Sequence, residues 1–157
     1  MKKRGISPVI ATVLLIAMVV VIGLIVFIWF RGFVGEGATK FGKNIQLVCD
    51  DVDFDAEYSG NTLSVVNVGT VPIFQLRVRI IDGGSHSTEE IDGDTTGWED
   101  TGLGEQEAFV FTDIAKVYEK IYTADKLIVF PVLLGSSSKG RKTYICEGDY
   151  GKEIILQ

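Results

Sequence analysis

The sequence predicts an α+β chain, with one long apolar α-helix at the amino terminus followed by a mainly antiparallel, immunoglobulin-like β-sandwich head. Three observations carry that expectation. The segment from Ile6 to Phe30 holds twenty-five consecutive residues without a charged side chain. Downstream, short apolar-rich runs alternate with period two and are punctuated by Gly, Asn, Asp and Ser, the pattern of strands and turns. All 21 acidic residues of the 157-residue chain lie beyond the apolar segment, so the two parts suit different solvents. The expected divisions are a basic leader over residues 1–5, the apolar helix over 6–30, a Gly-rich hinge over 31–44 and the β-sandwich domain over 45–157.

As a continuous helix, Ile6–Phe30 would be roughly 37 Å long at 1.5 Å per residue, more than the roughly 30 Å hydrocarbon layer of a bilayer. Its polar side chains are Ser7 and Thr12, both near the start. A helix satisfies its backbone groups internally, which hydrocarbon demands. A buried core helix of this length, apolar on every side, would need a far larger protein around it. Lys2, Lys3 and Arg4 precede the run and only Arg31 follows closely. Basic residues stay on the cytoplasmic side, so a single-pass precursor with a cytoplasmic amino terminus and an outward carboxyl-terminal part is expected. An ordinary secretory signal has an apolar centre of about 7–15 residues and a small-x-small cleavage site behind it. Arg31-Gly32-Phe33-Val34-Gly35-Glu36-Gly37-Ala38 offers no convincing site of that kind.

The left edge of the apolar run carries a second pattern. Pro8 bars Ser7 from comfortable helical geometry and is itself tolerated in a first helical turn. Gly5, lacking a Cβ, lets the chain extend with little steric penalty. The stretch Arg4-Gly5-Ile6-Ser7-Pro8-Val9-Ile10-Ala11-Thr12-Val13-Leu14-Leu15-Ile16-Ala17 resembles the class III signal and helix start of archaeal type IV pilins and archaellin-like proteins. The resemblance covers about the first thirty residues. It implies that a prepilin peptidase recognises Lys2, Lys3, Arg4, Gly5 and Ile6 and cleaves after Gly5. It further implies sister pilin subunits, an assembly platform and a mature cell-surface filament as the partners and destination. Bacterial major pilins commonly carry a glutamate at the fifth mature position. Ile10 stands there in this sequence, which puts a bacterial-style charge registration in doubt and leaves the archaeal resemblance intact.

A helix apolar all round fits lipid first and a bundle of sister helices later, since neither offers water on any face. Ala11, Ala17 and Gly23 allow close approach at a few places. Removing the leader takes away three cations whose burial in a filament core would be costly. The competing expectation is a permanently anchored, monomeric adhesion or binding module that never polymerises. Phe27, Trp29, Phe30 and Phe33 cluster where the helix would leave the bilayer, a place aromatics favour. Gly32, Gly35 and Gly37 then form the expected hinge, without the setting of a phosphate-binding loop.

The head has roughly 113 residues from Ile45, enough for one core. Expected strands are Ile45–Phe54, Thr62–Asn67, Ile73–Ile81, Ala108–Thr112, Lys126–Leu134, Lys142–Glu147 and Glu153–Leu156. The pilin resemblance implies the same sandwich. Asp113–Ala124 reads as a short amphipathic helix, with Ile114, Val117, Tyr118, Ile121 and Tyr122 at helical spacing and Asp113 as its cap. The alternation of Val117, Glu119 and Ile121 keeps a strand open as the alternative.

Beyond the apolar run, 12 basic residues face 21 acidic ones, a poor footprint for nucleic acid. Asp51, Asp53 and Asp55 would share one face of a strand and, with Asp50, could gather an oxygen-seeking cation such as Ca2+. The EF-hand pattern fails at Ala56 and Thr62, and a solvated acidic face is the leading reading. Asp82 to Glu107 holds nine acidic residues and no Lys or Arg. Such an excursion reads first as a solvated loop and second as a surface for adhesion or cation bridging. Within it Asp92-Gly93-Asp94 reads as a hairpin tip, with Trp98 tacking the loop to the domain. Cys49 and Cys146 suit a disulfide between the first and penultimate strands of an exported domain, with two buried free thiols as the alternative. His86 has no evident nucleophile partner, no catalytic residue is expected, and no Asn-x-Ser/Thr acceptor occurs.

Overall fold

A computed structural model of the chain describes residues 8–34, 38–91, 93–138 and 140–156. The chain divides into two compact units, Met1–Gly37 and Ala38–Gln157. The first unit contains the helix α1, Pro8–Val34. Proline stands at its first position, where a missing N–H costs nothing because no intrahelical acceptor exists for it. The helix runs past Phe30 and takes in Gly32, so the hinge expected from residue 31 does not begin there. Lys2, Lys3, Arg4, Gly5 and Ile6 lie outside the described residues, as do Ser7, Gly35 and Gly37.

Among its described residues, the second unit carries ten strands in two antiparallel sheets, a β-sandwich-like head. They are β1 Thr39–Lys40, β2 Lys43–Asn44, β3 Phe54–Ser59, β4 Thr62–Asn67, β5 Gln75–Asp82, β6 Ser85–Ile91, β7 Ala108–Thr112, β8 Lys126–Ser137, β9 Gly140–Ile145 and β10 Lys152–Ile155. The larger sheet runs β2-β1-β8-β5-β6, with β9 and β10 also paired to β8, and the smaller runs β3-β4-β7. Between the sheets, Phe54, Leu63, Val65 and Phe111 belong to one core with Leu76, Val78, Ile80, Leu127 and Val129. The alternation predicted for the central strands is the burial seen in β4 and β5, where every second side chain is buried.

β8 is the spine. Val129 pairs with both Val78 and Lys152, and Val132 with both Gln75 and Ile145, so β5 lies along one edge and β10 then β9 along the other. Pro131 lies within this strand although proline cannot donate to a ladder. Its carbonyl accepts from Cys146 N, so its nitrogen faces the same edge. That is where β10 has ended and β9 is ending, and a single unmade bond is the cost.

Several expectations are corrected. Ile45–Phe54 is not a strand: Ile45–Val48 is a helical turn, Cys49–Asp51 a 3-10 turn, and only Phe54 enters β3. Asn44 caps the turn, its Oδ1 accepting from Gln46 N at 3.0 Å. Ile45, Val48 and Cys49 are buried, a three-to-four spacing that the period-two reading mistook for alternation. The expected helix at Asp113–Ala124 is two shorter turns, Ile114–Val117 and Glu119–Thr123. Asp113 makes no capping bond and lies at φ 58°. Asn61, at the β3–β4 hairpin tip, caps instead: its backbone oxygen accepts from Ile114 N and its Oδ1 from Ala115 N at 2.8 Å. The acidic excursion after Asp82 is also partly strand, since the whole of β6 pairs with Leu76–Asp82 of β5. Asp92 lies outside the described residues, and Gly93–Thr96 forms a helical turn rather than a hairpin tip.

Candidate membrane and assembly interface

The chemistry of α1 is the simplest on the molecule. Its large hydrophobic side chains are exposed to similar degrees, from 51% at Ile22 to 69% at Ile28 and Trp29. From Val9 to Phe30 no stripe is buried, and no stripe is polar. The hydroxyl of Thr12 turns inward and donates to the Val9 carbonyl at 2.9 Å, which removes a donor from the outer surface. Leaving such side chains in water costs on the order of 1.5–3 kcal/mol for each of the larger ones. Residues Pro8–Phe30 are long and apolar enough to cross a membrane, and any other cover has to be equally apolar on every side.

At the opposite extreme, Asp51, Asp53 and Asp55 do not converge. Asp51 lies in the 3-10 turn and pairs with Lys43 at 3.5 Å, while Asp55 lies on β3 and approaches Lys152 at 3.5 Å. The peptide of Asp53 is used by the fold, its carbonyl accepting from Val68 N and Gly69 N. Among the described residues no group of three or more His, Cys, Asp or Glu side chains could hold a metal ion. The common strand that would have aligned the three carboxylates is absent, because the segment coils through a 3-10 turn.

Cys49 and Cys146 are brought together as a disulfide, with Cα atoms 5.7 Å apart. The elements that carry them differ from expectation: Cys49 opens the 3-10 turn and Cys146 directly follows β9. Both sulfur positions are packed in a second core with Ala38, Ile45, Val48, Val71 and Leu133. Beside the bridge, the Tyr150 hydroxyl donates to Asp50 at 2.5 Å. That hydrogen bond to a carboxylate holds the Tyr150 phenol above its ordinary pKa. The two clasps tie the first segment of the head to the β9–β10 connection.

No protein-family model matches the chain, and no curated protein matches it. A Northeast Structural Genomics Consortium target solved by X-ray crystallography is similar over 69% of this chain and 89% of its own, at 12% identity and a TM-score of 0.31. Likeness at that level carries no argument about function. The chemistry of the chain itself therefore bears the whole reading.

Trp98 does tack its segment to the head. Its indole is 6% exposed, donates to the Phe74 carbonyl at 2.8 Å, and meets Phe109 edge-on at 4.8 Å between centroids. The structural residue missed by pattern reading is Asn67, fully buried at the end of β4. Its amide donates to the carbonyls of Val71 and Leu103, and its Oδ1 accepts from Gly69 N. The sequence signal was present in Asn67-Val68-Gly69-Thr70, where it marks a turn. His86 is exposed on β6, where it pairs with Ile81 of β5.

Proposed function

We propose that the chain is a pilin-like structural subunit of an archaeal cell-surface filament, held in the membrane as a precursor and polymerised through α1 after leader cleavage. The observation that carries the reading is α1 itself, apolar and exposed around its whole circumference, joined to a separately packed head. Lipid satisfies such a helix before assembly, and sister helices satisfy it afterwards. The resemblance of residues 4–17 to archaeal pilin and archaellin-like sequences supports the second step, and supplies the prepilin peptidase and assembly platform as partners. Orientation follows from Lys2, Lys3 and Arg4: the amino terminus stays cytoplasmic and the head is outside. In this reading the chain is structural rather than catalytic, needs no cofactor and does not engage nucleic acid.

The test is mass spectrometry of the native amino terminus together with electron microscopy of sheared surface fibres. A chain beginning at Ile6 and recovered in fibres is the expected result. An intact Met1, with the protein confined to membranes, would replace the subunit with a permanently anchored extracellular binding or adhesion module. Replacing Gly5 with a bulky residue should block processing, and unchanged processing would count against peptidase recognition.

A further inference from the structure

The open edge of a sheet offers backbone groups that another strand can pair with, and folds protect such edges with charges. Most edges of this head follow that rule. β3 carries Asp55 and Glu57, β6 carries Glu89 and Glu90, and β10 carries Lys152 and Glu153. β7 does not. Ala108-Phe109-Val110-Phe111-Thr112 has no charge and no proline, and it ends the smaller sheet with β4 on one side. Among the described residues no second strand pairs with it. Val66 stands opposite Ala108, and Asn67 N donates to the Glu107 carbonyl. The alternation of an antiparallel ladder then turns Phe109 and Phe111 toward β4. It leaves the N–H and C=O of Ala108, Val110 and Thr112 on the open edge.

A cleft of about 510 Å3 borders Ala108, Phe109 and Val110, with Trp98, Glu99 and Glu107 among its other walls. A Glu99 oxygen accepts from the Thr101 hydroxyl and a Glu107 oxygen from Gly104 N, and neither carboxylate has a basic partner among the described residues. Asp100 and Glu105 are exposed in the same stretch, which contains no Lys or Arg. An extended peptide added to an edge strand is held by main-chain bonds and selected through its side chains. Here the walls select for positive charge.

The head itself carries an edge strand of that character. β9 runs Gly140-Arg141-Lys142-Thr143-Tyr144-Ile145 and pairs with β8 alone. Arg141 and Lys142 are exposed and have no acidic partner among the described residues. Cys146 N donates to the Pro131 carbonyl, and the same alternation turns the N–H and C=O of Arg141, Thr143 and Ile145 to the open side. Three outward residues on β9 thus match three on β7, and the basic start of one strand corresponds to the acidic start of the other. Within one head the two edges belong to different sheets, so the partner is a second copy. We propose that β7 of one head takes up β9 of a sister head, the strands running parallel with Arg141 and Lys142 toward Glu99 and Glu107. Each head then gives one edge and receives at another, a heterologous contact that propagates along a helical filament. This rests on the filament reading for its setting. One short strand is small beside the roughly 1,000 Å2 of a stable free interface, so the contact forms where heads are already held close.

The test uses full-length chains, one carrying Val110→Cys and the other Thr143→Cys, the central outward residues of the two edges and both exposed. The pair is co-expressed and oxidised in surface fibres, and in parallel co-reconstituted at high density in vesicles. Disulfide-linked heterodimers should form from the mixture, while each variant alone should give none. Arg141→Glu with Lys142→Glu on the Thr143→Cys chain should lower the heterodimer yield several-fold. Glu99→Lys on the Val110→Cys chain should restore it. Fibres without heterodimers would overturn the edge contact and leave the filament reading standing. Heterodimers in vesicles of a chain that forms no fibres would keep the contact and sink the filament. Heterodimers in neither setting, or dimers from Val110→Cys alone, would overturn β9 as the occupant. A yield indifferent to the charge reversals would do the same.

Discussion

Asn67 and the Asp50–Tyr150 pair illustrate how single side chains hold this head. Asn67 has no contact with water and spends its amide on three backbone groups, the carbonyls of Val71 and Leu103 and the N–H of Gly69. Asn67→Ala would orphan all three in the interior, where each unsatisfied group costs about 1–3 kcal/mol before relaxation or water entry. A net loss of about 2–4 kcal/mol in urea unfolding is expected. The Tyr150 phenol binds its proton more tightly in the folded state, because its hydroxyl donates to Asp50. Its contribution is therefore present below the ordinary tyrosine range near pH 10, and is lost as pH rises through the raised folded value. Spectrophotometric titration should find Tyr150 and Tyr58 both late, Tyr58 through burial, and Asp50→Ala should move Tyr150 alone back toward the ordinary range. Neither role was legible in sequence. The turn at Asn67-Val68-Gly69 was, but its amide's far partner, Leu103, lies thirty-six positions away and is set by the approach of two loops.

At the scale of elements, the disulfide and α1 carry the clearest consequences. The Cys49–Cys146 bridge spans a sequence separation of 97, and cross-linking so long a loop lowers the entropy of the unfolded chain by an amount worth about 4–5 kcal/mol. Cys49→Ala with Cys146→Ala should reduce stability by up to that amount, read as a lower guanidinium midpoint. If loop closure dominates, the paired variant and the chemically reduced wild type should lose similar amounts. For α1, Val20→Arg puts a charge near the middle of Pro8–Phe30, where insertion costs about 2.5–3.5 kcal/mol. Membrane retention and fibre recovery should both fall, while the head's melting transition stays in place because the units are separately packed. Strands with alternating apolar residues, β4, β5 and β7, were legible from the sequence. β3 and β6 were not, because Asp55, Glu57, Glu89 and Glu90 dilute the apolar signal. β6 is an edge strand whose identity comes from pairing, including the ion pair of Glu90 with Arg77 across the ladder.

For the whole molecule, two solvents explain the division of the chain. The head buries most of its large apolar side chains in two cores, whereas from Val9 to Phe30 α1 buries none. If the chain is the pilin-like subunit proposed above, it should leave the membrane only into an assembly that replaces lipid contact with helix contact. Detergent above its micellar concentration should therefore keep the full chain dispersed, and its dilution should yield fibres or aggregates rather than soluble monomer, as sedimentation would record. A chain lacking residues 1–37 should remain monomeric under the same dilution. The candidate Ca2+ site is the contrary case, in which spacing suggested convergence and the fold denied it. Carboxylates alternating along a strand share a face, but Asp51 lies in a 3-10 turn and Asp55 in β3.

By itself the sequence determined the apolar helix, the antiparallel sandwich-like head and the pairing options of two cysteines, because composition and local periodicity decide which surfaces leave water. Tertiary structure alone decided that Asn61 caps a helical turn across the head, that Asn67 locks two loops, and that Phe41 takes a positive φ at an exposed turn. Those outcomes depend on partners distant in sequence or on a backbone angle imposed by strand pairing, and neither leaves a periodic trace in the chain.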